Sequence, residues 1–314
     1  MTTDAPTPRI AILGAGLIGA AWAALFQHHG ADVRVWDPHS DALAATPTRM
    51  TKPLAQLVEV VPDAGPRGTL TLCDTLAEAV DGADLVQENA PENIPVKHDL
   101  YAQVEPFLAD HAVLASSTSA LTWSELAPGL QDPARLITAH PFNPPHLVPL
   151  VEIYGPDDAR VARAEALYRG AGRVPVRLNK DATGHIANRL ASALWREAVF
   201  MVQDGIADVE AIDAALVNGP GLRWSVLGAH MAYHLGGGMG GMAGGMESYL
   251  AHLGPSQERR WAALGSPTLS PEVQADLVAG VLREAAGRDI ADLEDTRDKA
   301  LIAALRARKD APHV

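Results

Sequence analysis

Up to about Leu178 the chain alternates short β-rich runs with helical stretches. The runs are "RIAIL", "DVRVW", "LTLCD", "DLVQE", "AVLAS", "RLITA", "LVEIY" and "VPVRL". Strands alternating with helices predict an α/β architecture, a doubly wound and mostly parallel sheet covered on both faces. The crossover after Asp37 is expected to be irregular, because Pro47, Pro53 and Pro62 interrupt its helical pattern. From about Gly184 the β runs stop. "IANRLASALWREAVFMVQDGI" carries Ile186, Leu190, Ala193, Leu194, Ala198 and Met201 on one stripe, which predicts a long helix with an apolar face. "DVEAIDAALVNG" predicts a second helix, capped by Asp208 and ended near Gly219. The final "IADLEDTRDKALIAALRAR" is amphipathic, its mixed charges a solvated face. The change of pattern divides the chain into an α/β domain, 1–180, and an all-α domain, 181–314.

One stretch fits neither pattern. "HLGGGMGGMAGGM", His234 to Met246, holds seven glycines in thirteen residues. It reads either as a mobile loop, since glycine costs backbone entropy on ordering, or as a lid over the substrate with methionines as an adaptable wall.

Composition narrows the class. With 314 residues and 47% hydrophobic content the chain can bury two ordinary cores. A formal net charge of −13 disfavours nucleic acid and anionic membrane. The single cysteine, Cys73, excludes an internal disulfide framework and suits a reducing cytoplasm. "MTTDAPTPR" is not followed by the pattern of a signal peptide, and the uncharged run Ile10 to Phe26 is short for a membrane span. A soluble, cytoplasmic protein is expected. No H-x₃-H or C-x₂-C spacing points to a metal.

"RIAILGAGLIGAAWAALF" places Gly14-x-Gly16-x-x-Gly19 directly after a predicted strand and at the start of a predicted helix. The first glycine permits the tight turn, the second a close approach of pyrophosphate, and the third close packing of helix on strand. Leu17 and Ile18 complete the phosphate-binding turn at the helix N-terminus. This context identifies a Rossmann-type dinucleotide site. Asp37, about twenty residues on in "VRVWDP", stands where a carboxylate binds a ribose diol and repels a 2′-phosphate. NAD is therefore favoured over NADP.

In "HPFNPPHLVPLVE" the prolines Pro141, Pro144, Pro145 and Pro149 forbid a helix. The chain must run extended, turn, and return as the strand "LVEIY", so that His140 and Glu152 can face each other on stiff backbone. That is what a general base and its orienting carboxylate need, and also what a structural loop can look like. There are twelve histidines. His28, His29, His111, His252 and His313 read as surface residues, while His230 and His234 are candidates for a pocket. Trp195, Trp224 and Trp261 read as core.

"SSTSAL", "HPFNPP…VPLVE" and "GHIANRL", in this order behind the glycine turn, resemble the 3-hydroxyacyl-CoA dehydrogenase family over nearly the whole chain. "QENAPENIPVK", "SSTSALTWSELA" and "GPGLRW" are most similar to the branch that holds λ-crystallin, L-gulonate 3-dehydrogenase and L-carnitine dehydrogenase. The resemblance implies a catalytic His140 with Glu152, a serine at Ser119, and the family's helix asparagine at Asn188. It implies cofactor contacts at Glu92, Lys97, Ser119 and Asn143. The family carries proline and phenylalanine where this chain has Thr183 and His185.

Those residue types suit oxidation of a secondary alcohol: the departing hydroxyl proton needs a base near neutral pKa, which histidine supplies. Glu152 on the other ring nitrogen would fix the tautomer, and Ser119 and Asn188 would hydrogen-bond the reacting oxygen. A CoA thioester asks for several cations. Residues 41 to 82 hold only Arg49, Lys52 and Arg67 against Asp41, Glu59, Asp63, Asp74, Glu78 and Asp81. A small free L-3-hydroxy acid, carnitine-like or gulonate-like, is the expected substrate. Arg223 in "GPGLRW" is a candidate for its carboxylate, and Phe142 and Trp224 for a quaternary ammonium. The alternatives are 3-hydroxyacyl-CoA as substrate, a crystallin-like protein that binds NAD without turnover, and, last, a β-hydroxyacid dehydrogenase type, which would want a lysine on the helix where Asn188 lies and which Lys180 only precedes. The apolar stripes of the helical half predict a homodimer.

Overall fold

The structure, a computed structural model, describes residues 7–238 and 244–310. Two compact units follow one another along the chain, Met1–Arg189 and Leu190–Val314.

In the first unit eight strands form one sheet: β1 (Arg9–Leu13), β2 (Asp32–Trp36), β3 (Leu70–Leu72), β4 (Leu85–Glu88), β5 (Val113–Ser116), β6 (Leu136–Pro141), β7 (Leu150–Tyr154) and β8 (Val174–Arg177). Their order is β3-β2-β1-β4-β5-β6-β7-β8. Every pair is parallel except β6 with β7. The first six strands thus have the doubly wound order that places a ligand cleft outside the carboxyl ends of the strands, where the order reverses between β1 and β4.

The helices of this unit are α1 (Leu17–His28), α2 (Ser40–Ala44), α3 (Thr46–Val60), α4 (Leu76–Val80), α5 (Ile94–Val104), α6 (Trp123–Leu126) and α7 (Asp158–Gly170). Period-two alternation divides the side chains of β1 between two cores. Ile10 and Ile12 pack with Trp22, Met50, Leu57 and Tyr168 of α1, α3 and α7. Ala11 and Leu13 pack with Leu76, Tyr101 and Leu126 of α4, α5 and α6. Strands β4 and β5 are buried along their whole length, with the polar Gln87, Glu88 and Ser116 among their buried side chains.

The crossover after Asp37 corrects the expectation of irregular structure, for α3 is a continuous fifteen-residue helix through Pro53. Pro47 sits in the first turn, where no intrahelical donor is needed, and Pro62 lies beyond the end. Pro53 removes one internal hydrogen bond at a cost of about 3 kcal/mol. Burial of Met50 and Leu57 in the core offsets it, at about 1.5–3 kcal/mol each.

A second correction concerns His28 and His29, which are not surface residues. His28 is buried and its Nε2 pairs with the Val61 carbonyl at 3.0 Å. Burial, then the neighbouring His28 and Arg173, push the His29 pKa down to about 4. The folded chain therefore keeps His29 neutral while the unfolded chain takes its proton near pH 6.5. This contribution to stability is complete above pH 6.5 and is lost as the pH falls towards 4. His29→Gln should flatten that fall by on the order of 1 kcal/mol, discounted for partial exposure, or about 2–4 °C in Tm. Thermal melts of both proteins between pH 4 and 7 check this; parallel Tm curves would contradict it.

The second unit is all-α. Helix α8 (Ala187–Gln203) begins in the first unit and continues into it, followed by α9 (Val209–Asn218), α10 (Pro220–Trp224), α11 (Ala229–Gly236), α12 (Gly245–Ala263), α13 (Pro271–Ala285) and α14 (Ile290–Asp310). Asp208 caps α9 by accepting from the Ala211 amide at 2.9 Å, as its sequence predicts. Among the described residues the stripe of α8 is largely uncovered: Leu190 is 65% and Trp195 55% exposed, and Val199 is the buried residue of the helix. Trp224 and Trp261 are likewise exposed rather than core. Residues 239–243 of the glycine- and methionine-rich stretch lie outside the described residues, so the loop and lid readings fall there; on its flank His234 Nδ1 accepts from the Met246 amide at 3.1 Å. Among the described residues no helix is long and apolar enough to cross a membrane.

Candidate active site

The turn from β1 into α1 is built by its glycines. Gly14 has φ +94°, and a Cβ there would lie 2.9 Å from the Asn89 carbonyl oxygen. A Cβ on Gly19 would stand 1.8 Å from the Gly14 carbonyl oxygen, so nothing larger fits between helix and strand. Gly16, the N-cap of α1, has no atom within 4 Å of its Cβ position. The turn is therefore closed on its inner side and open on its outer side, where the free amides of the first helical turn suit a pyrophosphate. Leu17 is exposed beside it. At the end of β2, Asp37 accepts from the Ala15 amide at 2.7 Å through one oxygen and from the His39 amide at 2.9 Å through the other. A cleft of about 750 Å³ runs past Gly14, Gly16, Trp36, Asp37 and Val96. Arg49 Nη1 donates to the carbonyls of Ala15 and Ala42 at 2.7 and 3.1 Å. The donors, the open turn and the carboxylate fit a dinucleotide without a 2′-phosphate.

The antiparallel pairing of β6 and β7 sets His140 directly opposite Glu152. His140 Nδ1 and Glu152 Oε2 are 2.8 Å apart and both side chains are buried. The second oxygen, Oε1, accepts from the amides of Ile186 and Ala187 at 2.7 and 2.9 Å. Burial pushes the Glu152 carboxyl up, but the bonds from His140 and from the Ala187 and Ile186 amides outweigh it and hold the carboxyl below its ordinary range. An imidazole so held presents Nε2 to a ligand and can accept a proton there, with the carboxylate stabilising the resulting charge.

Asn188 is the next residue along the same segment, and its Nδ2 donates to the Ser119 carbonyl at 3.1 Å. Ser119, His140, Asn143 and Asn188 line one cleft of about 320 Å³, joined by Ile18 and Phe142. Glu92 organises the turn that carries Ser119. Its Oε1 accepts from the amides of Ser119 and Ala120 at 2.9 and 2.8 Å and from Thr118 Oγ1 at 2.7 Å. Burial raises its pKa, but the Thr118 and amide bonds, with the Lys97 charge, bring the net shift downward.

Lys97, expected from the resemblance at the cofactor, is held in the core by a carboxylate. Its side chain is 1% exposed and its Nζ donates to Glu88 Oε1 at 2.6 Å and to the Ala90 carbonyl at 3.2 Å. Arg223 lies exposed on α10 in the second unit, and Lys180 is exposed at the surface of the first. Sequence reading missed the group that gathers around Glu88. Tyr101 and Ser116 donate to its Oε2 at 2.7 and 2.6 Å, and the Ala90 amide to its Oε1 at 2.6 Å. The available signal was a glutamate ending "LVQE", a run otherwise apolar enough for a central strand.

Comparison with known proteins agrees with this architecture. Residues 9–182 match the model of the 3-hydroxyacyl-CoA dehydrogenase NAD-binding domain, and residues 184–264 that of the C-terminal domain. The L-carnitine dehydrogenase of Nocardiopsis dassonvillei is 42% identical over 313 residues, covering 98% of this chain and 94% of that protein. The L-carnitine dehydrogenase of Pseudomonas putida is 38% identical over 306 residues, covering 96% and 94%. Among solved structures, 5-formyl-3-hydroxy-2-methylpyridine 4-carboxylic acid 5-dehydrogenase, an NAD+-dependent dismutase, superposes with a TM-score of 0.81 at 28% identity, covering 96% and 98%. With its NAD-binding domain at residues 9–182 and its helical domain behind it, the chain belongs to the 3-hydroxyacyl-CoA dehydrogenase family.

Proposed function

We propose that the protein oxidises the 3-hydroxyl of a small L-3-hydroxy acid to the 3-oxo acid, with NAD as hydride acceptor and L-carnitine as substrate. The observation that carries the reading is the buried His140–Glu152 pair, whose histidine lines a single cleft with Ser119 and Asn188. The substrate hydroxyl donates to His140 Nε2, and its proton passes there as the C–H bond breaks. Glu152 accepts from Nδ1–H and stabilises the imidazolium. The Ser119 hydroxyl and the Asn188 amide hold the oxygen as it becomes a carbonyl. NAD, when bound along the glycine turn and Asp37, supplies the hydride acceptor. Phe142, half-buried on the cleft, offers a ring face to a trimethylammonium group. The relatives at 38–42% identity are L-carnitine dehydrogenases, which favours carnitine over gulonate.

The test is the initial rate of NADH formation with L-carnitine, L-gulonate, L-3-hydroxybutyrate and L-3-hydroxybutyryl-CoA. L-Carnitine should turn over at least tenfold faster than the others. Preference for the thioester would overturn the argument from scarce cations, and NAD binding without any turnover would favour the crystallin-like reading. The exposed apolar residues of α8, α10 and α12, among them Leu190, Trp195, Leu222, Leu250 and Trp261, support a homodimer. Sedimentation equilibrium showing a monomer at working concentration would remove it. We place the protein in the cytoplasm, which suits its one buried, free cysteine.

A further inference from the structure

Between Asp181 and Asn188 the chain does something that its packing alone does not require. His185 adopts φ +49°, a left-handed conformation that costs a side-chain-bearing residue about 1–3 kcal/mol. Its amide donates to the Ala182 carbonyl at 3.1 Å, and the turn so made aims the next two amides at Glu152 Oε1. The His185 ring is 2% exposed and lies against the His140 ring, with centroids 4.9 Å apart and planes 20° from parallel. Its Nε2 is buried without a hydrogen-bond partner. A strained backbone and an unpaired buried nitrogen are thus spent on closing one face of His140.

We infer that His185 is a positioning residue for the reaction proposed above, its ring acting as a flat wall that fixes the plane of His140 and keeps water from that face. The hydrogen bond to Glu152 holds one edge of His140, and the stacked ring prevents it from swinging about that edge. His185 does this as a neutral group. Burial, then the His140 charge, lower its pKa, while Glu152, the Thr118 backbone and Asp181 act in the opposite direction without reversing the shift. The charged and titratable groups around it are His140 on β6, Glu152 on β7 and Asp181 upstream; the 117–121 turn contributes the Thr118 backbone.

The inference rests on His140 as base, so His140→Ala is measured beside His185→Ala, His185→Leu and His185→Phe. Leucine keeps the bulk without the plate, and phenylalanine keeps the plate without the nitrogens. His185→Ala and His185→Leu should lower kcat about tenfold or more, because a small misplacement of a reacting group can cost up to about a hundredfold. KM for NAD should stay within about twofold, and His185→Phe should restore kcat to within about threefold of the parent. If His185→Ala does not fold, the contrast of Leu with Phe decides. The inference is overturned if Leu or Ala keeps the parental kcat, if the loss appears in KM for NAD, or if Phe is as poor as Leu. Should His140→Ala itself retain the parental rate, the proposed function and this inference both fall; should it be inactive while His185→Leu is not, only the inference does.

Discussion

His140→Ala is expected to lower kcat by about a thousandfold while leaving NAD affinity within about twofold, since a positioned general base contributes roughly 10²–10⁴. The site explains why no neighbour substitutes for it. Glu152 has both oxygens engaged, one by the ring and one by the Ile186 and Ala187 amides, and its carboxyl is held below the ordinary range. His185 is buried behind the base, with no free edge on the cleft. Glu152→Gln gives an independent check on the same arrangement. The two amides at Oε1 require an acceptor, so the glutamine oxygen is forced there and its NH₂ faces His140 Nδ1. That places the ring proton on Nε2, the nitrogen that must accept, and a loss of about 10²–10⁴ follows from the wrong tautomer alone. Stopped-flow rates of NADH formation, with NAD binding followed by protein fluorescence, separate chemistry from affinity. A His140→Ala enzyme within tenfold of the parent would remove the histidine from the reaction.

What could be read from the sequence was whatever local covalent constraint enforces. Prolines at 141, 144, 145 and 149 exclude a helix, and a two-residue period then leaves the antiparallel return that pairs His140 with Glu152. The glycine turn followed from the same kind of argument, because only glycine fits where a Cβ would meet the Gly14 or Asn89 carbonyl. What the sequence could not show was the identity of the neighbour. The stripe of α8 states that a face is apolar, not what covers it, and in this chain Leu190 and Trp195 remain exposed. Pro53 argues locally against a helix that burial of Met50 and Leu57 nevertheless holds. His185 stood out only as an unusual residue in the "GHIANR" segment; that its ring lies on His140 depends on a left-handed turn that a histidine does not announce. Lys97 illustrates the same limit. A lysine near a cofactor motif is read as a ligand, but the carboxylate that claims it sits nine residues earlier, at the end of a buried strand.

Lys97→Met is expected to destabilise the first unit by about 3–5 kcal/mol, the usual consequence of removing one member of a buried ion pair. Glu88 would keep its bonds from Tyr101, Ser116 and the Ala90 amide but would hold a charge in the core with no counter-ion. The expected fall in Tm is about 10 °C, taking roughly 2–4 °C per kcal/mol for a unit of this size. Adding Glu88→Gln should recover at least half of the loss. The amide oxygen can still accept from the two hydroxyls and the unpaired charge is gone, while the amide NH₂ facing the Ala90 N–H keeps the recovery incomplete. The double variant also separates two roles for Lys97. If its ammonium serves the fold, as its burial and its 2.6 Å contact with Glu88 support, NAD affinity should return with stability. If it also reaches the cofactor, stability would recover in the double variant while affinity would not. Calorimetry of the parent, single and double variants, with an NAD titration of each, tells these apart. A single variant with an unchanged Tm would show that Glu88 takes up a proton or a water in place of the lysine.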